Sequence, residues 1–207
     1  MFITFEGPEG SGKTSVASKI VETLINMGYP IVFTREPGGT PIAEEIRSVI
    51  LDKKNTLLDS RAEALLYAAS RRQHLVEKVW PALKAGKIVI CDRYLDSSLA
   101  YQGGARGLGV DNILNINRFA TEDTMPDLTL LFDLEPEIGF KRIEANKNRE
   151  VNRLDLEART FHIKVRDTFL ALSKTFKDRY RIIDASKEFD EVYQNALAVV
   201  LSHLPKL

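Results

Sequence analysis

A glycine-rich segment near the start of the chain combines backbone N–H groups, a lysine and a hydroxyl at a spacing suited to phosphate binding. Gly7-Pro8-Glu9-Gly10-Ser11-Gly12-Lys13-Thr14 matches the pattern G-x-x-x-x-G-K-[ST]. The glycines let the backbone curl so that its N–H groups point at phosphate oxygens, above the positive end of the following helix. Lys13 would bring its charge to the β and γ phosphates, and Thr14 would offer a hydroxyl to Mg²⁺. The segment therefore predicts a P-loop that binds a nucleoside triphosphate.

The same loop occurs in GTP-hydrolysing switches, which add two further motifs. No D-x-x-G occurs anywhere in the sequence. Asn146-Lys147-Asn148-Arg149 approaches the guanine-binding N-K-x-D, but Arg149 replaces the aspartate that would accept hydrogen bonds from guanine. Arginine only donates, so it cannot replace that carboxylate. The sequence argues against a GTPase.

Charged residues that follow other apolar runs point to a second substrate. Asp92 and Arg93 come directly after the run 88–91, and Arg35 follows the run 31–34. Asp92 is suited to hold Mg²⁺ or its waters. Arg35, Arg93 and, further along the chain, Arg47 would form a cationic pocket around the phosphate of an acceptor and the transferring group.

One face of a predicted long helix is suited to contact a base. Glu63, Tyr67, Arg71 and His74 recur at spacings of four, four and three, which places them on one side. Tyr67 would stack on a pyrimidine, and Arg71 would donate to its carbonyl oxygens. The 3 histidines show no metal-ligand spacing, so His74 is interpreted as structural.

These residues must be positioned by short apolar runs that alternate with amphipathic segments. The runs predict strands at 2–5, 31–34, 88–91, 128–134 and 181–183. The amphipathic segments predict helices at 13–27, 41–51, 60–85, 112–121, 136–145, 156–176 and 189–204. Thr40 is a favoured N-cap for the second helix. The alternation predicts an α/β fold with a five-stranded parallel sheet covered on both faces, as one domain over 1–207, and ligands that bind beyond the carboxyl ends of the strands.

Composition limits the partners and the compartment. Lys plus Arg number 29 and Asp plus Glu number 29, so no net field attracts nucleic acid or a membrane surface. The single cysteine, Cys91, excludes an internal disulfide and indicates a reducing compartment. The N-terminus lacks the pattern of a signal peptide, and no apolar run approaches the roughly 20 residues of a membrane span. A cytoplasmic protein is expected.

The chain resembles bacterial thymidylate kinases over essentially its whole length. The matching blocks are FEGPEGSGKT at 5–14, TREPGGT at 34–40, AEALLYAASRR at 62–72, DRYLDSSLAYQG at 92–103 and PDLTL at 126–130. The P-loop is shared by many families, whereas the second and fourth blocks are highly specific. The resemblance implies the P-loop NTPase fold, and transfer of the γ-phosphoryl group of ATP to dTMP in dTTP synthesis, with Mg²⁺ and in a homodimer.

The resemblance also implies roles for individual residues. Glu9 matches the P-loop carboxylate near the deoxyribose 3′-hydroxyl, and Arg35 and Arg93 match arginines at the acceptor phosphate. Arg71 matches the arginine at a thymine carbonyl. Tyr101 matches the aromatic residue that crowds the sugar 2′ position and so rejects an added hydroxyl. The remaining implied positions are Asp92 beside the metal and Pro37, Arg47, Tyr67, Ser98 and Gln102 in the pocket.

Catalysis in such an enzyme needs positioning and charge neutralisation rather than a strong base. The variable P-loop positions contain no arginine, so a further cation must come from elsewhere. The segment 146–155 is polar, basic and rich in asparagine, which is typical of a mobile lid over ATP. Arg149 or Arg153 is the predicted cation at the phosphates, because relatives with a glycine-bearing P-loop hold such arginines in the lid.

Other functions stay open on sequence alone. The enzyme could phosphorylate another monophosphate, such as dUMP, dGMP or AMP, or a deoxynucleoside. A different class is a P-loop ATPase that switches a partner protein. A switch ATPase should hydrolyse ATP alone, whereas a monophosphate kinase should be nearly silent without acceptor, since its closed site excludes water.

Overall fold

Five parallel β-strands form one sheet in the computed structural model, which describes residues 1–145 and 153–205. The strands lie in the order β2-β3-β1-β4-β5. Their bounds are β1 Phe2–Glu6, β2 Ile31–Arg35, β3 Ile88–Asp92, β4 Leu128–Asp133 and β5 Tyr180–Asp184. Every residue of β1 and β3 is buried, which fits central strands covered on both faces. The predicted fold class is confirmed.

The helices mostly coincide with the amphipathic segments. They are α1 Lys13–Asn26, α2 Pro41–Leu51, α3 Ser60–His74, α4 Trp80–Lys84, α5 Leu95–Ser98, α6 Val110–Thr121, α7 Pro136–Ala145, α8 Arg159–Thr175 and α9 Phe189–His203. π-Helical turns span Leu75–Val79 and Leu99–Ala105, and a 3₁₀ turn spans Arg153–Leu156. No helix in the described ranges is long and apolar enough to cross a membrane.

The helices differ from the prediction in three details. The helix predicted over 60–85 is divided by the first π-turn, just before Pro81, whose missing N–H cannot continue the α-helical pattern. α5 and the following π-turn were not predicted. Thr40 lies at the N-cap of α2, but its side chain makes no capping hydrogen bond. Instead the side chain of Glu44 reaches back and accepts from the Gly39 N–H at 2.8 Å.

Two hydrophobic cores lie on opposite faces of the sheet. On one face Val16 and Ile20 of α1 pack with Val192 of α9 against the strands. On the other face, Leu99 of the second π-turn and Phe169 of α8 belong to a second cluster that also includes strand residues. The cores fix the helices on both sides of the sheet, so the loops at its carboxyl edge have a rigid base.

Every strand ends on a charged residue. The last residues of β1 to β5 are Glu6, Arg35, Asp92, Asp133 and Asp184. Because all five strands are parallel, these residues lie along one edge of the sheet. Charge is therefore concentrated at the edge where ligands bind in this architecture.

Candidate active site

A cavity of about 1630 Å³ opens over the carboxyl edge of the sheet. Its lining includes the P-loop residues from Glu9 to Thr14 and side chains from α2, α3, β3 and the π-turn after α5. Most residues predicted for the two substrates line this one cavity: Glu9, Lys13, Thr14, Arg35, Pro37, Arg47, Tyr67, Arg71, Asp92, Arg93, Ser98, Tyr101 and Gln102. Gly7, Pro8 and Arg153 are not among the lining residues. Residues separated widely along the chain are thus brought together at one edge.

The P-loop turns directly into α1. Gly10 has φ +74, and a Cβ at this position would lie 2.4 Å from the carbonyl oxygen of Gly139, so a side chain does not fit. The P-loop lysine, Lys13, is the first residue of α1 and is buried. Burial, together with the charge of Arg93, lowers the pKa of Lys13 to about 8. The lysine is thus poorly solvated, and an anionic ligand would restore its preference for the charged form.

Thr14 and Asp92 form the pair predicted to hold Mg²⁺. The Thr14 hydroxyl donates to Asp92 Oδ2. Asp92 Oδ1 is buried and has no hydrogen-bond partner among the described residues. A hydroxyl beside an unpaired carboxylate oxygen fits a hard cation with oxygen ligands. The donor set therefore suits Mg²⁺, which would supply charge neutralisation at the phosphates.

Arg93 is locked against the P-loop. It has φ +69, a left-handed conformation that non-glycine residues rarely adopt. Its Nη1 donates to the Gly7 carbonyl at 3.0 Å and to Ser97 Oγ at 3.1 Å, and its Nη2 donates to Glu9 Oε1 at 3.1 Å. The guanidinium also lies 5.1 Å from the centre of the Tyr101 ring. These contacts fix a positive charge between the P-loop and the acceptor side of the cavity.

Glu9 presents a carboxylate that is held on one oxygen. Its Oε1 also accepts from the Tyr101 hydroxyl at 2.5 Å. Its Oε2 lies 3.4 Å from His162 Nδ1 and has no other partner in the described part of the chain. Burial alone would raise the pKa of Glu9, but contact with His162 and the charge of Arg93 outweigh burial and lower it. Oε2 of Glu9, which makes no hydrogen bond among the described residues, could accept from a hydroxyl group of a ligand.

Arg35 and Arg47 share one carboxylate at the mouth of the cavity. Arg35 Nη2 lies 2.9 Å from Glu44 Oε1, and Arg47 Nε lies 3.9 Å from Glu44 Oε2. Arg47 Nη1 also donates to the carbonyl oxygen of Pro37 at 2.9 Å. The side chains of Arg35 and Arg47 are 46% and 27% exposed, more than the 19% of Arg93. An entering phosphate could therefore compete with Glu44 for them at little desolvation cost.

Glu63, Tyr67, Arg71 and His74, which the sequence places on one face of α3, are all buried. Arg71 is 2% exposed. It donates through Nε to Glu36 Oε2 at 2.8 Å and through Nη2 to the Tyr94 carbonyl at 3.0 Å. Its Nη1 donates to Ser98 Oγ at 3.1 Å and to Asn117 Oδ1. The guanidinium is a buried charge held by several acceptors at the end of the cavity that Tyr67 and Gln102 also line.

Tyr67 and Gln102 complete this end. Burial and the nearby charge of Glu63 raise the pKa of Tyr67 above its ordinary value, so its phenol stays neutral. Gln102 Nε2 donates to Glu63 Oε1 at 2.8 Å, which orients the amide. A neutral ring and an oriented amide beside Arg71 suit a flat, polar-edged ligand such as a base.

Of the two predicted lid arginines, only Arg153 is among the described residues, and it does not lie at the P-loop. Arg149 lies outside the described residues. Arg153 is buried, donates through Nε to the Ile50 carbonyl at 3.0 Å and pairs through Nη2 with Glu63 Oε2. Its guanidinium is not part of the cavity lining. This arrangement supports a role for Arg153 in joining α2 and α3, not in binding the transferring phosphoryl group.

The sequence patterns missed several residues of the site. Glu36, which holds Arg71, follows β2 within the TREPGGT block but was given no role. No local pattern identifies His162, which contacts Glu9, or Asn117, which contacts Arg71. Arg142 lines the cavity on the β5 side, where its guanidinium donates to the carbonyls of Ala185, Ser186 and Lys187. This segment directly follows β5. The rule that ligands bind after each strand therefore points to residues 185–187, but not to Arg142, which lies in α7.

Glu36, His74 and Cys91 bring potential metal ligands within 4.8 Å of one another. All three are buried, and His74 bonds through Nδ1 to Glu36 at 2.9 Å and through Nε2 to Thr34 at 2.7 Å. Burial raises the pKa of the Cys91 thiol well above its ordinary value, which disfavours the thiolate that binds metals. The cluster is therefore a hydrogen-bonded support for Arg71, in line with the structural role predicted for His74.

Comparisons with known proteins agree on one family. The family model described as thymidylate kinase matches residues 5–196. The chain is 59% identical over 207 residues to a thymidylate kinase of Bacillus velezensis, covering 100% of this chain and 98% of that protein. It is 56% identical over 203 residues to one of Geobacillus sp. strain WCH70, with 98% and 97% coverage. A crystal structure of thymidylate kinase from Ehrlichia chaffeensis superposes with a TM-score of 0.78 at 33% identity, over 97% of this chain and 98% of that one.

Proposed function

The chain belongs to the thymidylate kinase family, whose members are phosphotransferases that convert dTMP to dTDP, and we propose that its cavity transfers the γ-phosphoryl group of ATP to dTMP. The observation that supports this most strongly is a single cavity lined at one end by the P-loop and at the other by the buried Arg71. Arg93 lies between them, bonded to the P-loop at Gly7 and Glu9. A donor site, an acceptor site and a fixed cation thus share one space.

The acceptor would lie across α2 and α3. Arg71 would donate to a carbonyl of thymine, with Ser98 and Gln102 near the base and the ring of Tyr67 stacked on it. The unpaired Oε2 of Glu9 would accept from the 3′-hydroxyl. Tyr101, whose hydroxyl is bonded to Glu9, would occupy the space beside the 2′ carbon. Arg35 and Arg47, near Pro37, and Arg93 would hold the phosphate.

The donor would lie over the P-loop. Its phosphates would contact the backbone N–H groups of residues 9–14 and the ammonium of Lys13. Its adenine would lie near Arg142 of α7 and Lys187, which follows β5, because both residues line the same cavity. Because Arg153 of the predicted lid at 146–155 is buried between α2 and α3, Arg149 is the candidate lid cation over the donor.

The chemistry then requires little proton transfer. The acceptor phosphate is already anionic at neutral pH, so it can attack without a strong general base. Lys13 and Arg93 would neutralise charge on the transferring group, and the fixed position of Arg93 needs no rearrangement at the moment of reaction. Thr14 and Asp92 would hold Mg²⁺, which would supply charge neutralisation at the donor phosphates.

We also propose a homodimer whose partner covers an apolar face on α3 and α6. Leu65 is 56% exposed on α3, Val76 is exposed on its continuation, and Phe119 of α6 is 91% exposed. Arg72, on the same side of the helix as Leu65 and Val76, donates to the carbonyl of Ala120 in α6, so these side chains are neighbours. Sedimentation of Phe119→Glu should show a monomer. Leu57 lies between α2 and α3 and is 97% exposed, so the control variant Leu57→Glu should stay dimeric.

We also propose the domain count, the location and the class of partners. One domain over 1–207 is supported by the single sheet. A cytoplasmic location is supported by the one cysteine, Cys91, which is free and buried. Balanced charge supports small-molecule substrates, not nucleic acid or a membrane, as the partners.

A coupled assay of ADP release with MgATP and each nucleoside monophosphate tests the main proposal. Strong turnover with dTMP, weaker turnover with dUMP and little with dGMP or AMP is expected. A well-folded sample that releases ADP at the same rate without any acceptor would overturn the kinase assignment in favour of a switch ATPase.

A further inference from the structure

Helix α6 places the buried polar side chain of Asn117 against Arg71, which lines the cavity. Asn117 is 1% exposed. Its Nδ2 donates to the Ile113 carbonyl one turn earlier at 2.8 Å, and its Oδ1 accepts from Arg71 Nη1. Because the NH₂ group is used by the helix, the carbonyl oxygen of the amide faces the guanidinium.

The contacts of Arg71 can be counted against its five N–H donors. Nε–H bonds to Glu36, the two hydrogens of Nη1 serve Ser98 and Asn117, and one hydrogen of Nη2 serves the Tyr94 carbonyl. One N–H on Nη2 thus remains without an acceptor among the described residues. Since Arg71 lines the cavity, this N–H is the one available to a ligand.

We infer that Asn117 is a positioning residue that sets base selectivity through Arg71. This inference rests on the proposed function. With four N–H groups fixed, the guanidinium cannot rotate, and its last N–H can meet only an acceptor at one position. A keto oxygen of thymine satisfies it. Cytosine has an amino group at the corresponding position, and two donors cannot pair.

Loss of the Asn117 acceptor should loosen this arrangement. The freed Nη1–H would need a new acceptor, and the guanidinium could turn toward water, Gln102 or a different edge of the ligand. Binding of the correct base would then weaken more than binding of the wrong one, because only the correct base uses the fixed N–H. Asn117 does not touch the phosphates, so the chemical step should change little.

Calorimetric binding of dTMP and dCMP to the full chain tests the inference. In Asn117→Leu, of similar volume but without an acceptor, the Kd for dTMP should rise about 10-fold, and the ratio of the dCMP and dTMP Kd values should fall about 10-fold. The kcat with saturating dTMP should stay within about threefold. Asn117→Asp, which keeps an oxygen facing Arg71, should restore the selectivity.

Asn112→Leu is the matched control. Asn112 lies on the same helix and also donates Nδ2 to the carbonyl one turn earlier, that of Leu108, at 2.8 Å, but it is exposed. Its selectivity should equal that of the unaltered protein. If Asn117→Leu folds and keeps its selectivity, or Asn117→Asp loses it equally, the inference is overturned. Failure of the unaltered protein to bind any deoxynucleoside monophosphate would instead overturn the proposed function.

Discussion

Arg93 Nη2 lies 3.1 Å from Glu9 Oε1, and this ion pair joins the residue after β3 to the P-loop. Arg93 also donates to the Gly7 carbonyl, so two of its contacts are to the loop that would hold the donor. The position of the cation is therefore coupled to the conformation of the P-loop. An arginine held in this way would be preorganised for a charge that develops during transfer.

Replacement of Arg93 should affect the chemical step. In Arg93→Ala we expect kcat to fall by about 10²- to 10³-fold, because a fixed cation at the transferring group is lost. Arg93→Lys should recover little, since one ammonium cannot reach Gly7, Ser97 and Glu9 together. Steady-state ADP release at saturating dTMP measures this, with the exposed Arg118→Ala as control. A near-normal kcat in Arg93→Ala would remove Arg93 from the mechanism.

Replacement of Asp92 should change the response to Mg²⁺. Asp92→Asn keeps an oxygen for the Thr14 hydroxyl but loses the negative charge, so the Mg²⁺ concentration for half-maximal activity should rise by roughly 10- to 100-fold. Titration of activity with Mg²⁺ at fixed ATP measures the shift. An unchanged Mg²⁺ curve would show that Asp92 neither binds nor orients the ion.

Removal of Arg153 should affect stability more than catalysis. Arg153→Ala leaves Glu63 buried with only Arg106 and Gln102, so the free energy of unfolding should fall by about 3 kcal/mol, as for a broken buried pair. Denaturant unfolding measures this. Arg159→Ala, which breaks an exposed pair with Glu137, should change stability by less than about 1 kcal/mol. If Arg153→Ala instead leaves stability unchanged and lowers kcat 100-fold or so, the predicted phosphate role returns.

The stability of the protein should depend on the protonation of Glu6. Burial, reinforced by the charge of Asp96, raises the pKa of Glu6 from 4.5 to about 8. Between these values the folded state keeps a proton that the unfolded state releases. The contribution of Glu6 to stability is thus complete below pH 4.5 and is lost as the pH rises through about 8.

Glu6→Gln cannot ionise, and its amide oxygen keeps an acceptor for the Tyr94 N–H. Its NH₂ group replaces the Oε2 that accepts from the Ser97 hydroxyl, and the hydroxyl can turn to accept instead. The Tm of Glu6→Gln should therefore match that of the unaltered protein near pH 5 and exceed it near about pH 9. Calorimetric scans across this range measure the difference. Parallel Tm curves for the two proteins would mean that Glu6 is ionised throughout.

The sequence was most informative where structure is local. Strand bounds were predicted to within one residue because short apolar runs define buried parallel strands, and the rule of strand ends then located Asp92 and Arg93. Side-chain pairs between distant elements, such as Glu63 with Arg153 and Glu9 with His162, were not predictable, since no periodicity relates them. They depend on how α8 and the 3₁₀ turn pack against the sheet and α3.

The π-turn at Leu99–Ala105 shows the same limit within one element. The resemblance placed Tyr101 and Gln102 near the sugar and base, but the composition of the segment gave no helical pattern to orient them. Wider π-helical spacing changes which side chains share a face. The direction of Tyr101 toward Glu9 therefore became visible only in the structure.

In the proposed binding mode, thymine and uracil would present the same oxygen to the Arg71 N–H that has no acceptor among the described residues, and they differ only by a methyl group. Hydrogen bonding in this pocket cannot separate them, and a methyl contact in a pocket gives a preference of roughly 10- to 200-fold. The fidelity of this enzyme toward uracil is therefore bounded by shape. Under the proposed function, rejection of dUMP would rest on the fit around the methyl group, so a low concentration of uracil nucleotides would protect the product pool more than this step does.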